Sequence, residues 1–401
     1  MKKSFKITKN ACYLGYVVQA SVNNLMPLLF VFFEQSYKIP LYLISIIITY
    51  NFFLQILVDS VSAKITLKLG FRKTACLSLS LASLGLVLAG LTPYLFNDYI
   101  FIYIGIMLST TLMALGGGTL EVILNPVVEA VSAQEEMSAG MNILHSFYCV
   151  GHIGTVLFAT LFFTLFGIEN WSIFAFLLAI LPLIDMLLFV KSPIQIPKGD
   201  EKPIKIKRLF KSSTFILIFI MMICAGASEM AVAQWVSYFA EKGLALEKSL
   251  GDVVGGCIFA FAMLLSRMVY GSKKRQVTLK VLLTFASCLA VCFLISNLLP
   301  VPLLSLIVLA GSGFFVGIMW PGIYAISGNI IQGGGTVMFS MMALGGDLGC
   351  ALGPTLVGCV SEFSTIEVGM LSAIVFPIVM VVATITLIKK TRTKNKAEIL
   401  N

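Results

Sequence analysis

The sequence predicts an all-α integral membrane protein with twelve transmembrane helices in two pseudo-symmetric blocks of six. Three observations predict it. Of the 401 residues, 58% are hydrophobic and only 12% are charged. The mean hydropathy is +0.98, outside the range of soluble globular domains. Apolar windows of roughly 18 to 30 residues recur along the chain, each long enough to cross an apolar layer about 30 Å thick as a helix. Membrane strands would instead be about ten residues long with strict alternation, and none is visible. Finally, one long polar stretch, Lys191 to Ser213, separates the windows into two sets.

Taken in order, the windows place helices at 11–33, 40–58, 74–92, 99–130, 137–164, 171–190, 214–240, 251–270, 280–298, 303–331, 337–360 and 367–388. The basic start MKKSFKITKN looks like a signal peptide, but no small-residue cleavage site follows, so the first window is read as a retained helix. It carries Gln19 and Asn23 one turn apart, and the second carries Asn51, Gln55 and Asp59 on one stripe. The fourth holds Glu121, Asn125, Pro126 and, near its end, Glu129. The fifth holds Asn142, His145, Cys149 and His152, with Tyr148 beside them. Trp171 opens the sixth and reads as an interface anchor, with Asp185 placed nearer a surface. The seventh presents Glu229, Gln234, Trp235 and Tyr238, the tenth Trp320 and Tyr324, and the eleventh Asp347 in GGDLGCALGP.

An even number of spans puts both termini on one side, and lysine and arginine choose it. Lys2 to Lys9, Lys64 to Lys73, Lys191 to Lys211, Arg267 to Lys280 and the tail from Lys389 all fall on that side. Only Lys38, Lys242 and Lys248 fall on the other. The termini are therefore expected in the cytoplasm of an inner-membrane protein, and the asymmetry accounts for the +9 formal charge without a nucleic-acid partner. The expected organisation is a block at 1–190, a linker at 191–213 and a second block at 214–401 with a short basic tail. The nine cysteines fall in predicted helices without a C-x-x-C pair and read as reduced core residues.

Charged groups inside membrane helices are costly and usually face a pathway or a partner. Glu121, Glu229 and Asp347 are the most deeply placed. A carboxyl in an apolar setting can hold a proton near neutral pH and release it when water arrives, which is the chemistry of a proton-coupled carrier. The structural alternative is a hydrogen-bonded carboxyl that locks two helices, and for Asp347 the dense glycines favour it. The histidines suit proton relay or hydroxyl recognition, while two of them without a third ligand do not make a metal site. Buried amides either recognise solute or only bridge helices. Glu229 and Gln234 lie about 140° apart on a straight helix, so one cavity takes both only if that helix is broken. Trp235 and Trp320 can stack on a ligand ring. No G-x-x-x-x-G-K-[ST], H-E-x-x-H or nucleophile elbow is present, so neither ATP-driven transport nor an enzyme is expected.

The fourth and tenth windows echo one another, GGGTLEVILNP against GFFVGIMWP, as expected for two related halves with a solute site between them. Between the second and third helices, SAKITLKLGFRKT resembles the signature loop of the major facilitator superfamily. Gly70, Arg72 and Lys73 match its closing part, Leu67 replaces its acidic residue, and Asp59 is the candidate substitute. The resemblance implies a conformational latch made in one state of a rocking cycle.

The glycine run Gly116 to Gly118, Glu121, Asn125 and Pro126, followed by Asn142, His145 and Phe147, resembles the fucose permease branch of that superfamily, the sugar:proton symporters. The resemblance implies that Glu121 binds solute and takes part in proton coupling. The aspartate that follows Asn-Asn-Leu in those permeases is absent here, where Asn23, Asn24 and Leu25 run on to Met26. The expected function is thus proton-coupled symport of a small polar, possibly sugar-like solute by a monomeric carrier without cofactors, driven by the proton gradient. Efflux of a drug or metabolite is the alternative, favoured by Met221, Met222, Met230, Trp235, Met341 and Met342, and a non-transport membrane receptor or enzyme is the remote alternative.

Overall fold

In lipid every backbone N–H and C=O must be satisfied within the chain, and helices do this locally. A computed structural model describes residues 5–131, 137–194, 206–270, 277–331 and 335–400, and among them there is no strand. Its 12 membrane-length segments are α1 Lys6–Ser36, α2 Leu41–Asp59, α3 Phe71–Leu95, α4 Tyr99–Val128, α5 Ile143–Phe166 and α6 Ile168–Lys191, then α7 Ser213–Gly243, α8 Lys248–Tyr270, α9 Leu279–Leu298, α10 Pro302–Gly328, α11 Ser340–Phe363 and α12 Ile366–Thr391. Each coincides with a window read from the sequence. Their ends differ where turn chemistry, rather than hydropathy, decides. The helix of α2 runs on through Leu69, and only Gly70, at φ 81, separates it from α3. A left-handed backbone suits glycine there because it has no β-carbon to clash.

The first and last segments of the two blocks are buried to similar degrees. The apolar windows of α1 and α7 are 89% and 72% buried, whereas those of α6 and α12 are 33% buried, so α1 and α7 line the centre and α6 and α12 face lipid. Helix α1 is interrupted at its far end by a tight turn at Met26–Leu29 around Pro27, which lacks an N–H. The α-helix of α7 is continuous from Ser213 to Tyr238 and widens only afterwards, at Phe239–Gly243. Glu229 and Gln234 therefore lie on different faces of one unbroken helix.

Three other expectations change. Trp171 is fully buried, with its indole N–H donating to the Tyr37 hydroxyl at 3.0 Å, so it braces the α1–α6 corner instead of anchoring at the lipid interface. Asp185 is also fully buried, and neither carboxyl oxygen has a hydrogen-bond partner among the described residues. All nine cysteines are free thiols, and Cys359 is exposed, outside the core.

The two blocks are sealed together at the end away from the basic loops. Lys242 pairs with Glu34 at 3.6 Å, the Tyr238 hydroxyl donates to Glu34 at 3.0 Å, and the Trp235 and Phe30 rings meet at 5.6 Å. Along the α2–α11 seam the hydroxyls of Thr49 and Thr355 are in contact, and Gly358 lets α11 approach Ser45. Beside that seam lies an open apolar groove of about 530 Å³, lined by Tyr42, Phe53 and Phe363 among others. It faces the lipid side and contains none of the deep carboxyls.

Candidate functional site

Small residues on α4 let polar side chains from α1 and α2 come close. A β-carbon on Gly117 would meet Val22, one on Gly118 would meet Gln55, and one on Gly116 would reach the Ala82 backbone of α3 at 2.6 Å. Glu121, one turn further on, accepts a short hydrogen bond from the Gln19 amide of α1. Asn125 accepts from the Tyr16 hydroxyl at 2.9 Å and donates back to the Glu121 carbonyl at 3.2 Å, so α1 and α4 are tied by consecutive polar pairs. Tyr16 meets the His145 ring edge-on at 5.2 Å, which adds α5 to the group.

A second amide chain crosses between the blocks. Gln55 of α2 donates to the Asn23 side chain at 3.1 Å, and Gln234 of α7 donates to the Asn23 backbone carbonyl at 3.3 Å. Trp235, next to Gln234, is fully buried, and its N–H donates to Pro354 at 2.9 Å. It is therefore part of the seal and offers no ring face to a solute. Trp320 lies over Gly346 of α11, where a β-carbon would collide with the indole.

Arg267 was counted from sequence among the residues marking a basic loop. It is instead buried, 7% exposed, at the junction of the two blocks. Its guanidinium pairs with Glu229 at 3.4 Å, donates to the Gly317 carbonyl of α10 at 3.1 Å, and donates to the His145 carbonyl of α5 at 3.1 Å, with the Cys149 sulfur at 3.2 Å. Sequence reasoning missed it because an arginine three residues from a helix end looks like any positive-inside charge. The signal available was its place on the apolar window of α8 before Tyr270.

Glu229 and Gln234 thus serve different partners, as the unbroken α7 requires. Arg72 donates to the Ser192 carbonyl at 2.6 Å, capping the end of α6, and Lys73 is exposed. Asp59 does not meet Arg72; its carboxyl is hydrogen-bonded to that of Asp347 on α11, across the two blocks. Asp347 and Glu229 of the second block lie near Glu121. Tyr148 and His152 are buried on α5, and the His152 Nδ1 has no partner among the described residues. The side chains of Asn142 and Glu129 lie outside the described residues.

Among the described residues no group of three or more histidine, cysteine or carboxylate side chains could hold a metal ion. What the arrangement provides is a polar cluster on the contact surface of two helix blocks, sealed on one end, with carboxyls contributed from both sides.

Such an arrangement defines a membrane transporter. The sequence profile of the Major Facilitator Superfamily matches residues 12–354, and the chain belongs to that superfamily. Among solved structures it is similar to a variant of the E. coli fucose:proton symporter FucP, at 18% identity and a TM-score of 0.68 over 96% of this chain and 99% of that one. It is also similar to a bacterial homologue of the human lysosomal transporter Spinster. The inward-facing occupied form gives 12% identity and a TM-score of 0.72, covering 98% of each chain. The inward-facing unoccupied form gives 12% identity and 0.74, over 97% of this chain and 98% of that one. At these identities the likeness is one of fold. No curated protein matches the sequence.

Proposed function

We propose that this transporter couples the movement of a small polar solute to protons, by alternating access between its two six-helix blocks in the cytoplasmic (inner) membrane. The observation that carries the reading is Glu121. It lies on the block-to-block surface, bonded by Gln19 of its own block, with the Asp347 and Glu229 carboxyls of the other block nearby. Rocking the blocks apart changes what surrounds this carboxyl, and a charge left unpaired in low dielectric raises the cost of the crossing. Either a proton or a solute group on Glu121 removes that cost, which links the two. Glu121→Gln is expected to abolish uphill accumulation in proteoliposomes while solute exchange stays measurable. Concentrative uptake equal to wild type would refute the role.

A sugar-like solute is the second reading. The amides of Gln19, Asn23, Gln55, Asn125 and Gln234 favour it, since amides donate to and accept from hydroxyls, and the named substrate of FucP is a sugar. Uptake of labelled fucose driven by an acidic exterior would support it. The direction of net flux in right-side-out and inverted vesicles separates import from efflux.

A further inference from the structure

Four carboxyls and one guanidinium meet where the blocks face each other, and the pairing among them is unequal. Arg267 is committed to Glu229 and is the cation in contact with this group among the described side chains. Asp59 on α2, Glu121 on α4 and Asp347 on α11 make no ion pair with a described side chain. Asp59 and Asp347 face one another across the two blocks. Gln19, which is 2% exposed, spends its N–H on Glu121 and leaves its Oε1 buried with no donor among the described residues. A buried acceptor without a donor costs free energy. That orphan oxygen sits on the same amide that holds Glu121, so one donor-rich group at this point would satisfy both.

We infer that the solute is a small organic cation of the ammonium type, which binds Glu121, the Gln19 Oε1 and the Asp59–Asp347 pair, and is exchanged for protons. The inference rests on the proton-coupled reading above. An ammonium carries donors and no acceptor, matching a surface of acceptors. An anionic solute would meet like charge, and a neutral one would leave the carboxyls to be matched by protons alone. The phenol ring of Tyr16, packed edge-on against His145, adds an aromatic group of the kind that favours cations. No covalent bond changes. The cation takes the place of a proton on the carboxyls, the proton leaves into water on the side the site then faces, and the reverse replacement completes the cycle with charge conserved. Cation and proton compete for the same oxygens, so exchange in opposite directions follows.

The test uses the full chain, purified and reconstituted in phosphatidylethanolamine–phosphatidylglycerol vesicles. The cationic probes are methylammonium and putrescine, with fucose as the neutral and lactate as the anionic probe. One or more of the cations is expected to raise the melting temperature, the shift shrinking as pH falls. An acidic vesicle interior is expected to drive accumulation of the same cation beyond that in protein-free vesicles, where the neutral amine alone distributes with the pH gradient. Glu121→Gln, Asp59→Asn and Asp347→Asn are each expected to weaken cation binding by about tenfold or more, the loss of a charge-assisted contact. Asp98→Asn, on an exposed loop at the sealed end, is expected to bind as wild type does. Melting of each variant without probe shows that it is folded, and the three near-isosteric changes give independent readings. Stabilisation and gradient-driven movement of fucose, with the cations inert, overturns the cation and leaves proton coupling standing. Cation binding that no pH gradient converts into movement keeps the cation and overturns the proton-coupled reading. No cation-induced shift at any pH overturns the inference itself.

Discussion

A guanidinium inside a membrane bundle must have its donors matched, and Arg267 does this with partners on α5, α7 and α10. Removing one member of a buried ion pair leaves the other uncompensated, at a cost of roughly 3–5 kcal/mol. Arg267→Gln is therefore expected to lower the unfolding temperature sharply. The double variant with Glu229→Gln is expected to recover much of the loss, as read by thermal unfolding in detergent. Asp185 presents the opposite case, a carboxyl whose two oxygens are buried without a partner among the described residues. Asp185→Leu removes that penalty and is expected to stabilise the protein by about 1–3 kcal/mol, read by the same assay. Sequence alone ranks Glu229 as costly, because charge deep in an apolar window is visible, but it reads Arg267 as a loop marker and Asp185 as nearer a surface. It could not say which charges found each other. The Arg267–Glu229 pair joins α8 to α7 and Asp59–Asp347 joins α2 to α11, contacts fixed by packing of distant segments that no local spacing encodes.

At the scale of elements, the closest packing is between α7 and α11. A β-carbon on Gly226 would collide with the Gly346 carbonyl, one on Gly349 with the Ile223 carbonyl, and one on Gly353 with the Ala227 carbonyl. Such small-residue contacts replace the hydrophobic drive that lipid does not supply. Gly353→Val forces the helices apart and is expected to cost about 1–3 kcal/mol, measured as a drop in melting temperature. The existence of the twelve helices was legible because length and hydropathy decide it. The close approach was legible only as a glycine-dense string, GGDLGCALGP, with no sign of which helix it would meet. The sequence left open whether α7 breaks to bring Glu229 and Gln234 together, and the fold keeps the helix whole and gives each its own partner, Arg267 and the Asn23 carbonyl.

For the whole molecule, the seal at the end away from the basic loops must open if the blocks rock. Thr49 and Thr355 touch across it. Thr49→Cys with Thr355→Cys is expected to form an oxidised cross-link that stops transport and that reductant reverses, while each single variant transports normally. Transport at the wild-type rate by the oxidised double variant would show that this seam does not part. The two-block layout was legible from the central polar stretch, but the composition of the seal was not, since it joins residues hundreds of positions apart. The backbone contact of α7 with α11 also bears on how the blocks move. Helices that touch carbonyl to Cα have no slack to slide or tilt independently, so the pair behaves as one lever. Spin labels placed on α7 and α11 should keep a constant separation through a transport cycle, while a label on α2 changes its distance to both by the same stroke. Asp347 and Glu229, one on each arm of that lever, then travel together past Glu121 as a fixed two-tooth ratchet.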